Sequence, residues 1–245
     1  MAELNGGQIV ARQLKQAGID TAFGVVAGPM IEVMAGMQQE GIKVINCRHE
    51  LNACFMASAW GYINKKPGIV VAGSGPAVTN CVTGMYVATD SGMPLVVLGG
   101  STQSRNTGWG GFQEADQVAY AKPGCKWTAT VNNQDRIPEF LHLAMGKAMS
   151  GRPGAVYLDF PGQVIGRRME EDAVELRGAI PEPSAPYPGP PQHRPRRRHA
   201  RRGREAPGTH RQGSCLGRRH GAAHRAGQPR HPVHLLAHGP RRHPR

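Results

Sequence analysis

Between residues 7 and 159, short apolar runs alternate strictly with helical patterns, and few folds accommodate that order. The runs are 22–26 (AFGVV), 43–46 (KVIN), 69–72 (IVVA), 95–98 (LVVL) and 155–159 (AVYLD), with KWTATV at 126–131 as a further strand. Helical stretches fall at 7–17, 30–40, 50–64, 77–89 and 135–149. In the first of these, Ile9, Val10 and Leu14 share one face and Gly18 supplies the stop. The strands are apolar throughout rather than at alternate residues, as in a parallel sheet covered on both faces. The expected fold class is therefore α/β: a doubly wound parallel sheet of about six strands with helices on both faces. Such sheets carry their sites in loops beyond the carboxyl ends of the strands, here VVAGP, NCRHE, AGSGP and LGGSTQS.

Charge divides the chain into two pieces. Residues 191–245 hold 15 Arg, 9 of the 11 His, one acid (Glu205), no Lys and no aromatic residue. The overall charge of +13 belongs to that stretch, and residues 1–190 are nearly neutral. Three regions are expected: a folded domain at 1–180, a Pro-rich linker at 181–192, and a disordered Arg/His-rich basic tail at 193–245. Four of the five Cys lie in the first region with no CxxC pair, which reads as a reduced, cytoplasmic protein. No apolar run approaches the roughly 18 residues of a membrane span, and MAELNGGQ does not read as a secretory signal.

The segment RHELNACFMASAWGY sets Glu50 at a strand-to-helix junction, where the helix dipole favours a carboxylate. Taken alone, Glu50 reads as a simple helix-start acid. Cys54 shares its helix face, and Phe55, Met56 and Ala59 are expected to supply apolar packing. His49 beside it is a candidate proton relay, although a structural His is the commoner finding.

The neighbouring motifs change the reading of Glu50. RHE, GYINKKPGIVVAGSGPAVTN, DSGMPLVVLGG, GGFQEADQ and GRPGAVYLDFP follow one another in an order that resembles the N-terminal, pyrimidine-binding domain of thiamine-diphosphate-dependent enzymes. The resemblance runs from about Leu4 to Val164 and is nearest to 2-hydroxyacyl-CoA lyase, oxalyl-CoA decarboxylase and acetolactate synthase. It implies that Glu50 hydrogen-bonds N1′ of the cofactor's aminopyrimidine, from a mostly apolar pocket. That contact favours the 4′-imino form, which removes the proton from C2 of the thiazolium to give the ylid. GSGPAVTN resembles the family's SGPG-x-x-N loop with Ala77 in place of the second Gly. Gly75 and Pro76 would then allow close approach to the ring, and Asn80 would cap or orient. Gly28 and Pro29 match the loop that covers the aminopyrimidine. Phe112 and Gln113 resemble the lyase and synthase pattern facing the reaction centre, where oxalyl-CoA decarboxylases tend to carry Tyr-Glu.

The resemblance further implies an intact enzyme in which another domain holds the diphosphate through Mg²⁺, and nothing in the chain resembles the family's GDG…N metal motif. The substrate would be an acyl-CoA or a 2-keto acid, and the assembly a homodimer or homotetramer. The expected activity is C–C cleavage or decarboxylation of a 2-hydroxyacyl-CoA-type substrate, with the chain itself truncated and inactive alone. A fragment of acetolactate synthase fits TNCVTGMYVATDSGMPLVV and FQEAD nearly as well. A basic nucleic-acid-binding protein is the reading of another class. Against it, the tail lacks Lys and interleaved aromatics, so no specific nucleic-acid partner is expected. Its Arg, Pro, Gly, Ala and His are what GC-rich codons yield out of frame. HPVHLLAHGPRRHPR can be written in codons that, shifted by one base, read IPFISSPMGRGAIP. The frame is therefore expected to have been lost near Gln192 or His193.

Overall fold

The computed structural model describes residues 3–180. Its elements, in chain order, are β1 (Glu3–Asn5), α1 (Gly6–Gln16), β2 (Thr21–Gly24), α2 (Ile31–Gln39), β3 (Lys43–Asn46), α3 (Glu50–Asn64), β4 (Gly68–Ala72) and α4 (Pro76–Ser91). There follow β5 (Leu95–Ser101), α5 (Gln117–Ala121), β6 (Trp127–Thr130), α6 (Ile137–Met149), β7 (Ala155–Pro161), α7 (Gly162–Gly166) and β8 (Arg168–Glu170). Six strands form one parallel sheet in the order β3-β2-β4-β5-β7-β6. The linker and tail expected at 181–245 lie outside the described residues.

The continuous apolar runs are explained by two-sided burial. Ile69, Val71, Val96, Leu98, Val156 and Leu158 pack with α1, α2 and α6, through Ile9, Leu14, Val33, Met37, Leu141 and Met145. The intervening Val70, Ala72, Leu95, Val97, Ala155 and Tyr157 pack with α3, α4 and α5, through Cys54, Ala57, Val78, Met85 and Ala121. A period of two therefore sends alternate side chains to two cores, and both must be apolar. Fully burying each Val, Ile or Leu contributes about 1.5–3 kcal/mol, so stability concentrates in β4, β5 and β7.

The packing of α3 differs from the sequence expectation. Its buried face is Ala53, Cys54, Ala57, Ser58 and Gly61, whereas Phe55 and Met56 are exposed, as is Ala59. The cause is close backbone approach, since a methyl group on Gly68 would overlap the carbonyl of Ala57. Only small residues fit the inward side, and the large ones are left outside.

Two short strands were not legible beforehand: β1 and β8 pair antiparallel in a ribbon of their own. Beyond β8 the chain folds back on α1. There the buried Gln13 accepts from Arg177 N at 2.8 Å and donates to Arg177 O at 3.2 Å.

Candidate functional site

The sheet has a topological switch point between β2 and β4, because α2 lies on one face and α4 on the other. Two loops meet there. After β2 the chain enters a 3-10 turn at Gly28–Met30; after β4, Gly73–Gly75 lead into α4. A Cβ on Gly73 would sit 2.7 Å from that of Ala27, so the loops touch. Pro29 packs toward Gly100 at the end of β5. Gly28 is exposed, and a Cβ there would have nothing within 4 Å.

Glu50 is the first residue of α3, as the junction predicted. Its partner is Asn80, whose Nδ2 donates to Glu50 Oε2 at 3.0 Å, joining α3 to α4. Asn80 thus orients rather than caps, since Gly75 occupies the N-cap position of α4. Glu50 is half-buried. His49 has a structural role: its Nδ1 accepts from Leu51 N at 3.1 Å, capping α3.

Gly75 has φ 53° and ψ −108°, a conformation that side chains resist. Directly beside it, Gln113 has φ 55°, one of two non-glycine residues with positive φ among those described. Ser74 Oγ donates to Gln113 Oε1 at 2.8 Å. Strained backbone of this kind persists where surrounding contacts over-determine it, often at functional sites. Phe112 is 88 % exposed beside Trp109 at 82 %, so neither is packed into the domain. Their loop is closed by Glu114, whose carboxylate accepts from the backbone of Gly108 and Gly111, and these bonds hold its pKa below the usual carboxylate value. Ala77 fits the first turn of α4, 3.4 Å from where a Gly73 Cβ would be.

Sequence reasoning missed a buried polar cluster behind these loops. Gln117 accepts from Gly75 N and its Nε2 lies 2.7 Å from Asp159 Oδ1, which also accepts from Tyr157 Oη at 2.8 Å. Burial and the neighbouring Asp159 push the Tyr157 hydroxyl well above the usual phenol range. No local motif announces such a cluster, because its members lie on α5, on β7 and in the loop before α4.

Two cavities of about 270 Å³ lie elsewhere. One is lined by Asn132, Gln134, Gln163 and Arg167, the other by Arg136, Glu139 and Arg177. Neither contains Glu50 or the two loops, and the chemistry of the donor set outweighs cavity size here. Among the described residues, no group of three His, Cys, Asp or Glu could hold a metal, and no helix is long and apolar enough to cross a membrane.

The switch-point loops and the Glu50–Asn80 pair all follow the carboxyl ends of parallel strands, where α/β domains of this class bind ligands. Residues 4–120 match the family model of the thiamine pyrophosphate enzyme, N-terminal TPP binding domain, and this region is a domain of that family. The chain is 34% identical over 158 residues to the acetolactate synthase large subunit IlvG of Mycobacterium tuberculosis, covering 64% of this chain and 29% of that protein. It is 33% identical over 173 residues to human 2-hydroxyacyl-CoA lyase 1, covering 71% and 30%. It is 38% identical over 170 residues to the oxalyl-CoA decarboxylase of Escherichia coli (strain K12), covering 69% and 30%. The chain thus matches about 30% of the length of these relatives.

Proposed function

We propose that residues 3–180 bind the aminopyrimidine ring of thiamine diphosphate, with Glu50 as the carboxyl that shares a proton with ring N1′. The observation that carries this reading is the Glu50–Asn80 pair, which joins the start of α3 to α4 one turn beyond the Gly73–Gly75 loop. Asn80 occupies Oε2, and the described residues provide no hydrogen-bond partner for Oε1, which leaves it for the ring. Gly28, Pro29, Gly75 and Pro76 form the backbone walls, and the bare Cα of Gly28 allows contact without a side chain in the way. Thiamine diphosphate, when bound, supplies a thiazolium carbon that adds to a carbonyl and takes up the electron pair of a breaking C–C bond. Gln113, held by Ser74, and the exposed Phe112 then face the substrate rather than the cofactor ring.

The intact protein of this type cleaves or forms a C–C bond next to a carbonyl, and 2-hydroxyacyl-CoA is our preferred substrate class. Phe112 and Gln113 support it over oxalyl-CoA. Acetolactate synthesis from 2-keto acids is the second reading, supported by the 34% identity to a synthase subunit. The diphosphate and its Mg²⁺ are held by a separate domain, so residues 3–180 do not turn over substrate alone. Phe55, Met56, Tyr86 and Val87, exposed on α3 and α4, fit assembly with another subunit as a homodimer or homotetramer. Free Cys47, Cys54, Cys81 and Cys125 support a reducing, cytoplasmic setting.

A half-site has a simple signature. Thiamine and thiamine diphosphate should bind the purified chain with affinities within about threefold of each other, with no dependence on Mg²⁺, because the phosphates meet nothing here. Calorimetric titration checks this. A hundredfold preference for the diphosphate, about 2.7 kcal/mol, would place a diphosphate site in this chain and overturn the reading.

A further inference from the structure

We propose that Gln117 is a positioning residue for the Gly75 loop, acting on the cofactor site through backbone rather than by contact. The proposal rests on residues 73–80 forming part of the pyrimidine site. Gln117 opens α5 and is 2 % exposed. Its Oε1 accepts from Gly75 N, while its Nε2 lies 2.7 Å from Asp159 Oδ1, 3.0 Å from Gly100 O and 3.1 Å from Tyr157 Oη.

The orientation of the amide follows from its partners. Asp159 is buried and receives the hydroxyls of Tyr157 at 2.8 Å and Ser101 at 2.7 Å. A backbone N–H only donates and a backbone carbonyl only accepts, so Gln117 must turn its carbonyl toward Gly75 N and its NH₂ toward Gly100 O, which also brings the NH₂ to Asp159. The Gly75 amide is buried, and among the described residues Gln117 is the acceptor it has. Asp159 thereby fixes Gln117, Gln117 fixes Gly75, and Gly75 is where α4 begins. Asn80 lies four residues after Pro76, and it holds Glu50. Sideways, Ser74 of the same loop holds Gln113. One buried amide thus ties two central strands, β5 and β7, to the Gly75 loop of the candidate site.

The test uses the full 245-residue chain with Gln117→Met, which keeps volume and removes both ends of the amide. Gln13→Met serves as control: Gln13 is equally buried and bonds Arg177 twice, far along the fold from the loops. Gly75 amide exchange is read by NMR, and thiamine diphosphate affinity is read at a temperature well below both melting points. Gln117→Met should speed Gly75 exchange at least tenfold and weaken the cofactor at least fivefold. Gln13→Met should lower the melting temperature but leave affinity and Gly75 exchange unchanged. Equal loss of affinity in both variants, or unchanged Gly75 exchange in Gln117→Met, overturns the proposal. If Gln117→Met does not fold, the native chain decides: slow Gly75 exchange with a through-bond coupling to the Gln117 side-chain carbonyl supports it, and fast exchange overturns it. If the native chain binds no cofactor, the pyrimidine-site reading falls by itself, whereas Gly75 exchange still settles whether Gln117 holds the loop.

Discussion

Replacing Glu50 by Gln is expected to slow exchange of the cofactor's C2 proton by about 10²–10⁴-fold, in an assembled enzyme that joins this domain to a diphosphate-binding one. The amide keeps the shape and can still accept from Asn80, but it cannot share a proton with N1′. Folding should be little affected. The substitution removes a charge from the N-terminus of α3, which is worth about 0.3–1 kcal/mol at an accessible position. Exchange followed by quenched deuterium NMR checks the first expectation and thermal melting the second. Near-normal exchange in a folded Glu50→Gln variant would remove Glu50 from the chemistry.

Gly75→Ala should destabilise the domain by about 3 kcal/mol. Two effects add. The left-handed backbone at φ 53° costs a side chain about 1–3 kcal/mol, and the new Cβ would press to 2.6 Å against the carbonyl oxygen of Gln113. For a domain of this size the melting temperature should fall by about 6–12 °C. Gly28→Ala is the matched contrast: its Cβ enters open space and its φ is not positive, so stability should stay within about 0.5 kcal/mol. Cofactor affinity should nevertheless fall at Gly28, because the added methyl occupies the surface offered to the ring. A drop in melting temperature at Gly28 equal to that at Gly75 would show that the two loops are not built as described.

The central strands β2, β4, β5 and β7 were readable because they are mostly buried and apolar, while the edge strands β3 and β6, only partly buried, stood out by their β-branched and aromatic residues between helical stretches. β1 and β8 escaped notice because three residues are too few to show a period, and their pairing joins the two ends of the domain. The face of α3 was misjudged for a different reason. Large apolar residues are normally turned inward, but the closeness of Ala57 to Gly68 reverses that rule, and only three-dimensional packing reveals it. At the site, the strand-to-helix junction made legible only that Glu50 starts α3, and its candidate role came from the ordered motifs around it. Its geometric partner in this fold, Asn80, is thirty residues away, and the contact depends on how α3 and α4 cross. Gln117 and Asp159 carry no local signal, since a buried polar residue looks like any other in a loop or strand until its partners are known.

The central claim is that Glu50 and Asn80 receive the pyrimidine ring. It is tested most directly by titrating thiamine diphosphate into the chain while following the Glu50 side-chain carboxyl carbon and the Asn80 side-chain amide by NMR. Both signals should shift together and saturate at one affinity. Saturation of the chain by the cofactor with both signals unmoved would contradict the assignment.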